Sequence, residues 1–190
     1  EILADLESSF TNIDNEAQKI NEINEKLNLA ENSFHDLCKK LSLKRDLASK
    51  KLQEEINKEL IPLRLINANF TVDIEKKNKE QWNKNGSELV RFLVTLNRGT
   101  TEAEIHKVSS GGELSRLMLA INLALAKSIS PKTLVFDEVD SGVSGATADK
   151  VGARLFELSK VQQVLVVTHL PQVASRGTSH FRSYKFYDRT

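Results

Sequence analysis

Residues 109–144 read SSGGELSRLMLAINLALAKSISPKTLVFDEVDSGVS, and this stretch decides the fold. Ser109, Ser110, Gly111 and Gly112 have little or no side chain and stand where a helix can start, with Ser109 or Ser110 as N-cap. The free N–H groups of its first turn, with the positive end of the helix dipole, make an anion site, and phosphate is the usual anion. Residues 114–127 are apolar on nearly every face, with Leu117, Met118, Leu119, Ile121, Leu123 and Leu125 separated by alanines. Such a helix is expected inside a larger domain. After Pro131, the run Thr133, Leu134, Val135 and Phe136 predicts a short parallel strand covered on both sides. Asp137 and Glu138 follow at its C-terminal end, where open α/β sheets place their ligands. One carboxylate there suits Mg²⁺ and the other suits work on a water molecule. An acidic pair at a strand end is, taken alone, more often only solvated. Here a small-residue helix start precedes it and a second apolar strand ending in Thr168-His169 follows it, which favours a nucleotide site.

Three pieces of text carry a family resemblance. Ser109-Ser110-Gly111-Gly112-Glu113 resembles the signature motif of ABC-type ATPases, and Leu134-Val135-Phe136-Asp137-Glu138 resembles their Walker B strand. Ser141 to Ser144 fall where the D-loop lies, and His169 where the switch histidine lies. The wording SGGELSR, TLVFDEVDSGVSG and VLVVTHLPQVAS is similar to the SMC- and Rad50-like branch that works in bacterial DNA repair. The resemblance covers roughly residues 60–188, and its three motifs stand in order with the family's spacing.

Composition is compatible with this. The 190 residues allow one or two domains, and 39% apolar with 28% charged residues predicts a real core. No apolar run approaches a membrane span and no signal peptide opens the chain. A single cysteine, Cys38, excludes a disulfide framework and is consistent with a reducing cytosol. With one Cys and four scattered His, a structural zinc site is not expected. Residues 1–60 hold 9 Lys and Arg against 13 Asp and Glu, whereas residues 61–190 hold 18 against 13. The second part is mildly basic, which permits contact with DNA without requiring it.

Residues 1–60 contain no Gly and no Pro. Leu3, Leu6, Phe10, Ile13, Ala17, Ile20, Asn24 and Leu27 recur at steps of three and four, an a/d seam with charged flanks. The stripe then loosens through Ala30, Phe34, Leu37, Cys38 and Leu41 to Ala48, Leu52, Ile56 and Leu60. A helix of this kind cannot bury its seam alone and needs a partner helix; a plain amphipathic bundle helix is the bland alternative. Pro62 closes it. Residues 69–75 and 88–97 alternate as two strands, joined by a polar loop with an Asn85-Gly86 turn signal and with Trp82 expected to pack beneath it. His106 is expected at the surface. A helix over residues 146–159, a buried strand over 163–168 and a short helix from Pro171 follow. Phe181, Tyr184, Phe186 and Tyr187 suggest one more strand.

The resemblance implies an α/β fold, the C-terminal half of an ABC-type ATPase head with a parallel sheet, flanking helices and an antiparallel strand pair. Residues 1–60 would be the returning arm of an antiparallel coiled coil, and residues 61–190 the lobe of the head. ATP and Mg²⁺ would be the cofactors. Asp137 would hold Mg²⁺, Glu138 would be the general base, and His169 would contact the γ-phosphate and the attacking water. Ser110, Gly111, Gly112 and Glu113 would bind the γ-phosphate of an ATP held by a second head, with Ser141 and Gly142 passing between the heads. The chain has no G-x-x-x-x-G-K-[ST] loop, so Walker A would lie in the N-terminal half of the parent head, and the chain alone is expected to be inactive. Many ABC proteins end the D-loop in Asp, where this chain has Ser144. The implied partners are that N-terminal half, a second head as a homodimer, and DNA, with no membrane and a cytoplasmic, nucleoid-associated place. Two other readings stand beside this one: a scaffold that binds DNA or protein without turnover, and a transporter ATPase subunit. The heptad arm argues against the transporter, and the Asp137-Glu138 pair against a passive scaffold.

Overall fold

The computed structural model describes residues 2–97 and 99–184, with side chains described for 15, 16, 18–97 and 99–184. The chain divides into two compact units. One comprises residues 1–47 with 76–88, and the other residues 48–75 with 89–190. Helix α1, Ile2–Leu60, runs through the N-terminal part of both.

In the first unit, every described side chain from Gln18 to Ala30 is exposed, including Ile20 and Leu27 of the seam and Ile23 and Leu29 beside it. Leu3, Leu6, Phe10, Ile13 and Ala17 lie outside the described side chains. Further along, the helix is covered by the loop of residues 77–87. Trp82 packs on Phe34 and meets His35 edge-on at 4.9 Å between ring centroids, and its indole N–H donates to the Lys77 carbonyl. The loop closes in a tight turn in which Asn83 and Gly86 exchange backbone hydrogen bonds. Gly86 has φ +97°, and a Cβ there would lie 3.1 Å from Leu41 Cδ2, so two constraints select glycine. Buried Glu88 anchors the loop by accepting hydrogen bonds from Ser42 and Arg45. Cys38, a member of the apolar stripe, is buried.

The second unit holds the core. Ile56 and Leu60 of α1 join Leu63, Leu65, Phe70, Val94, Leu117, Leu119, Phe136, Val139, Val151, Leu155 and Leu158 in one apolar cluster. Strands β1 (Asn69–Lys76), β2 (Glu88–Thr95) and β3 (Ala103–Glu104) form a sheet in that order, with β3 antiparallel to β2. The sequence signals two of these strands; β3 is only two residues long, too short to show a period. The first turn of β1 is tied to α1 by side chains: Asn57 both accepts from the Phe70 N–H and donates to the Phe70 carbonyl, and Gln53 accepts from the Val72 N–H.

Helix α2 (Gly111–Leu125) leads to β4 (Thr133–Phe136), and α3 (Gly145–Ser159) leads to β5 (Gln163–Val166), which runs parallel to β4 with Phe136 opposite Val166. Helix α4 is short, Pro171–Ala174. A Cβ on Gly152 of α3 would lie 3.0 Å from the Gln172 carbonyl, so α4 packs directly on the α3 backbone there. The strand pair departs from the expected cover on both sides. Leu134, Phe136, Val164 and Val166 face the core, while Val135, Leu165 and Val167 are 66%, 45% and 60% exposed. An apolar run lacks the alternation that would reveal an uncovered face. Residues 181–184 are not a strand: they have no regular structure, and Phe181 is 92% exposed. A strand needs a neighbouring edge for its N–H and C=O groups, and no described strand pairs with this segment. Phe186 and Tyr187 lie outside the described residues. No helix among the described residues is long and apolar enough to cross a membrane.

Candidate functional site

The site grows from the start of α2 and the end of β4. Ser110 is the N-cap, with extended backbone angles, and its hydroxyl accepts from the Glu113 N–H at 3.4 Å. Leu114 N–H donates to the Ser110 carbonyl, closing the first helical turn. Small residues are needed here for a reason beyond helix initiation. A Cβ on Gly111 would overlap the Glu138 carboxylate. A Cβ on Gly112 would lie 3.0 Å from Ser141 Cβ and 3.1 Å from the Ser141 carbonyl oxygen. The loop after β4 therefore lies directly on the first turn of α2; a side chain at 112 would press on its backbone, whereas one at 111 would displace the Glu138 carboxylate.

That loop is sharply folded. Glu138 has φ +56°, rare for a residue with a side chain, and its N–H donates to Asp137 Oδ1 at 2.9 Å. Ser141 N–H donates to the Glu138 carbonyl, and Gly142 and Gly145 take φ +70° and +54°. Asp137 and Glu138 are exposed, whereas Asp140, two residues on, is 3% exposed. Asp140 Oδ2 accepts a short hydrogen bond from the Thr168 hydroxyl, and that hydroxyl accepts from the Leu170 N–H. Val167 N–H donates to the Phe136 carbonyl at 2.9 Å, so the β4–β5 ladder continues to the point where both chains leave the sheet. Thr168-His169 and Asp137-Glu138 thus leave adjacent strand ends.

His169 is exposed, and its Nδ1 lies 3.7 Å from Asp140 Oδ2. Among the described residues no hydrogen bond or ion pair joins it to Asp137 or Glu138. The structure thus brings Gly111 against Glu138 and Gly112 against Ser141, with Ser110 capping the same helical turn, and places His169 near Asp140. Glu113 is half-buried in the first turn of α2, and Gly142 is exposed in the loop. Ser144 is the N-cap residue of α3 without a side-chain cap bond. His106 is exposed and pairs with Glu104 of its own segment at 3.3 Å. A cleft of about 390 Å³ opens beside this edge, lined by Gly111, Leu114, Met118, Asn122, Leu134 and Asp137 among others.

Two residues of this region carry no motif signal of their own. Asp140 is one. Arg116 is the other: it is 6% exposed, and its Nη1 donates to the Ser141 carbonyl at 2.7 Å. Burial lowers its pKa; nearby Glu113 opposes this and Arg64 adds to it. An Arg within an apolar helix pattern is the signal that could have drawn attention to it.

The donor chemistry fits Mg²⁺ as an ion carried by phosphates. Among the described residues no group of three or more His, Cys, Asp or Glu could hold a metal by itself. Mg²⁺ at phosphate sites characteristically takes one or two carboxylates, with water and phosphate oxygens completing its shell, and Asp137 on the rim of the cleft offers one.

No model of a known protein family matches the chain. Individual proteins do. The DNA repair protein RecN of Rickettsia conorii is 39% identical over 90% of this chain and 31% of its own length. RecN of Xylella fastidiosa is 35% identical over 87% of this chain and 30% of its own length. The chain therefore spans about a third of the length of these relatives. Among solved structures, the Smc head domain with a coiled coil and joint from Pyrococcus yayanosii superposes with a TM-score of 0.50 at 20% identity, covering 71% of this chain and 24% of that one. This likeness supports an SMC-head type of fold. Over the third of their length that it shares with them, the chain is similar to the DNA repair proteins named RecN.

Proposed function

We propose that this chain supplies the acidic and serine-glycine edges of a composite ATP site in an SMC-like DNA repair ATPase, as the C-terminal part of one head. The observation that supports it most is the meeting of the two motifs: the Glu138 carboxylate lies on Gly111, and Ser141 rests on Gly112. Phosphoryl transfer to water needs positioned phosphates, Mg²⁺ and an oriented water. In this reading Asp137 would hold Mg²⁺, which would supply charge neutralisation at the phosphates. Glu138 accepts a proton from the attacking water. His169, braced by Asp140, donates a hydrogen bond to the γ-phosphate.

Ser110 and the N–H groups of Gly111 and Gly112 point to an anion, which in this reading is the γ-phosphate of ATP on a second head. Glu113 borders that turn, and Ser141 and Gly142 pass between the heads. In the structure the Glu138 carboxylate lies over Gly111, so it must withdraw when a phosphate arrives there. The lysine-bearing phosphate loop comes from another part of the parent protein. That part would also cover Val135, Leu165 and Val167, which are exposed here. The bare seam at Ile20 and Leu27 would take a second helix, giving residues 1–60 the role of arm and residues 61–190 the role of lobe. DNA and a second copy of the head complete the set of partners, at the nucleoid in the cytoplasm.

The test is Glu138→Gln in the full-length parent. Loss of a general base is expected to slow ATP turnover by about 10²–10⁴-fold while ATP-dependent head pairing survives. Unchanged hydrolysis would remove Glu138 from this role and favour a scaffold that does not depend on turnover.

A further inference from the structure

We propose that Arg116 is a positioning residue that locks the serine-glycine turn to the loop after β4, so that the acidic edge of this head's own site and the serine-glycine edge it offers to a second head move as one body. The inference rests on the ATPase reading above.

Arg116 sits in the second turn of α2 and is almost wholly buried, at 6% exposed. A guanidinium is an expensive choice for an interior position that a Met or Leu could fill, because its charge loses water. The cost is visible here: its Nε is buried and has no hydrogen-bond partner among the described residues. What the charge gains is one directed contact. Nη1 donates to the Ser141 carbonyl at 2.7 Å, across 25 residues of sequence. The same Nη1 would lie 3.3 Å from a Cβ on Gly112, and the Ser141 backbone would lie 3.1 Å from it. Helix start, guanidinium and loop are therefore stacked with no spare room. Gly112 allows the close approach and Arg116 holds it.

The contact is made to a backbone carbonyl of the loop, not to a side chain. It fixes the loop's path whatever residue stands at 141. Directly upstream in that loop are Asp137 and Glu138, the latter already held at φ +56°. A loop in such a conformation persists only where its surroundings over-determine it. The hydrogen bond from Arg116 is one such constraint, and Asp140 on Thr168 is another. Releasing the first would let Ser141 lift from α2 and shift Glu138 relative to Ser110. Misplacement by about 1 Å can cost on the order of 10²-fold in rate.

The experiment compares Arg116→Met and Arg116→Lys with the native full-length protein, by steady-state ATP hydrolysis. Arg116→Met is expected to lower kcat by about 10–100-fold with KM for ATP changed less than about threefold, because the phosphate loop that binds ATP is untouched. Lys keeps one cationic donor without the planar fork and is expected to recover part of the loss. A merely structural role would lower the melting temperature without this split. Wild-type kcat in Arg116→Met, or a loss carried by KM alone, overturns the proposal. Should the Met variant not fold, Arg116→Lys and Gly112→Ala decide it: both are expected to lower kcat at nearly constant KM, and native kcat in both overturns it. Glu138→Gln is assayed alongside. Native turnover in Glu138→Gln sinks the ATPase reading itself, whereas a dead Glu138→Gln beside a fully active Arg116→Met sinks only the role of Arg116.

Discussion

The two faces of the β4–β5 pair are made of the same residue types and have opposite fates. Leu134, Phe136, Val164 and Val166 pack into the core, while Val135, Leu165 and Val167 are open. The loop beyond β4 repeats the contrast in charge: Asp140 is buried under Thr168, and Asp137 and Glu138 are exposed. One face is finished within this chain. The other looks like a core cut in half, because a row of valine and leucine left in water forgoes about 1.5–3 kcal/mol per side chain of burial. The exposed carboxylates of the proposed site and the cleft both lie on the unfinished side.

Substitutions on the two sides should therefore differ in kind. The largest loss of stability is expected for Phe136→Ala, about 3–5 kcal/mol, since the ring is 4% exposed and its removal leaves a cavity. Urea unfolding of the 190-residue chain measures it, and a loss under about 1 kcal/mol would mean that the inner face is loosely packed. Asp140→Ala comes next, at about 1–3 kcal/mol, because the Thr168 hydroxyl loses its acceptor. Asp137→Ala is its control and should stay within about 0.5 kcal/mol, since that carboxylate is exposed. Equal losses at 137 and 140 would erase the distinction between the buried and the exposed carboxylate. The smallest effect is expected for Val135→Ser, within about 0.5 kcal/mol in this chain. The same change in the full-length parent should cost more, about 1–3 kcal/mol, if the rest of the head covers this face. Identical values in both would leave the open face without its proposed cover.

Much of this was legible in the residues. The helix start at Ser110, the helix after it, the strand at 133–136 and the acidic pair all follow from caps and periods that act over a few residues. The third strand escaped because Ala103–Glu104 is too short to carry a period. Residues 181–184 do not take up the expected strand: aromatic residues mark a preference for strands, while a strand also needs pairing with an edge, and no described strand pairs with this segment. The buried roles of Asp140 and Arg116 were not legible either. Asp140 reads as one more acidic loop residue, and Arg116 as a polar interruption in an apolar helix.

By itself the sequence determined the local elements and the order of the motifs, because capping, helical repeat and strand composition are encoded within a turn or two of chain. Only the tertiary structure decided which carboxylate is buried, which face of β4–β5 stays open and why glycine stands at 112. Those outcomes depend on contacts such as Arg116 with Ser141 and Thr168 with Asp140, which join residues 25 and 28 positions apart. Contacts of that span arise when whole elements pack, and no local pattern records them.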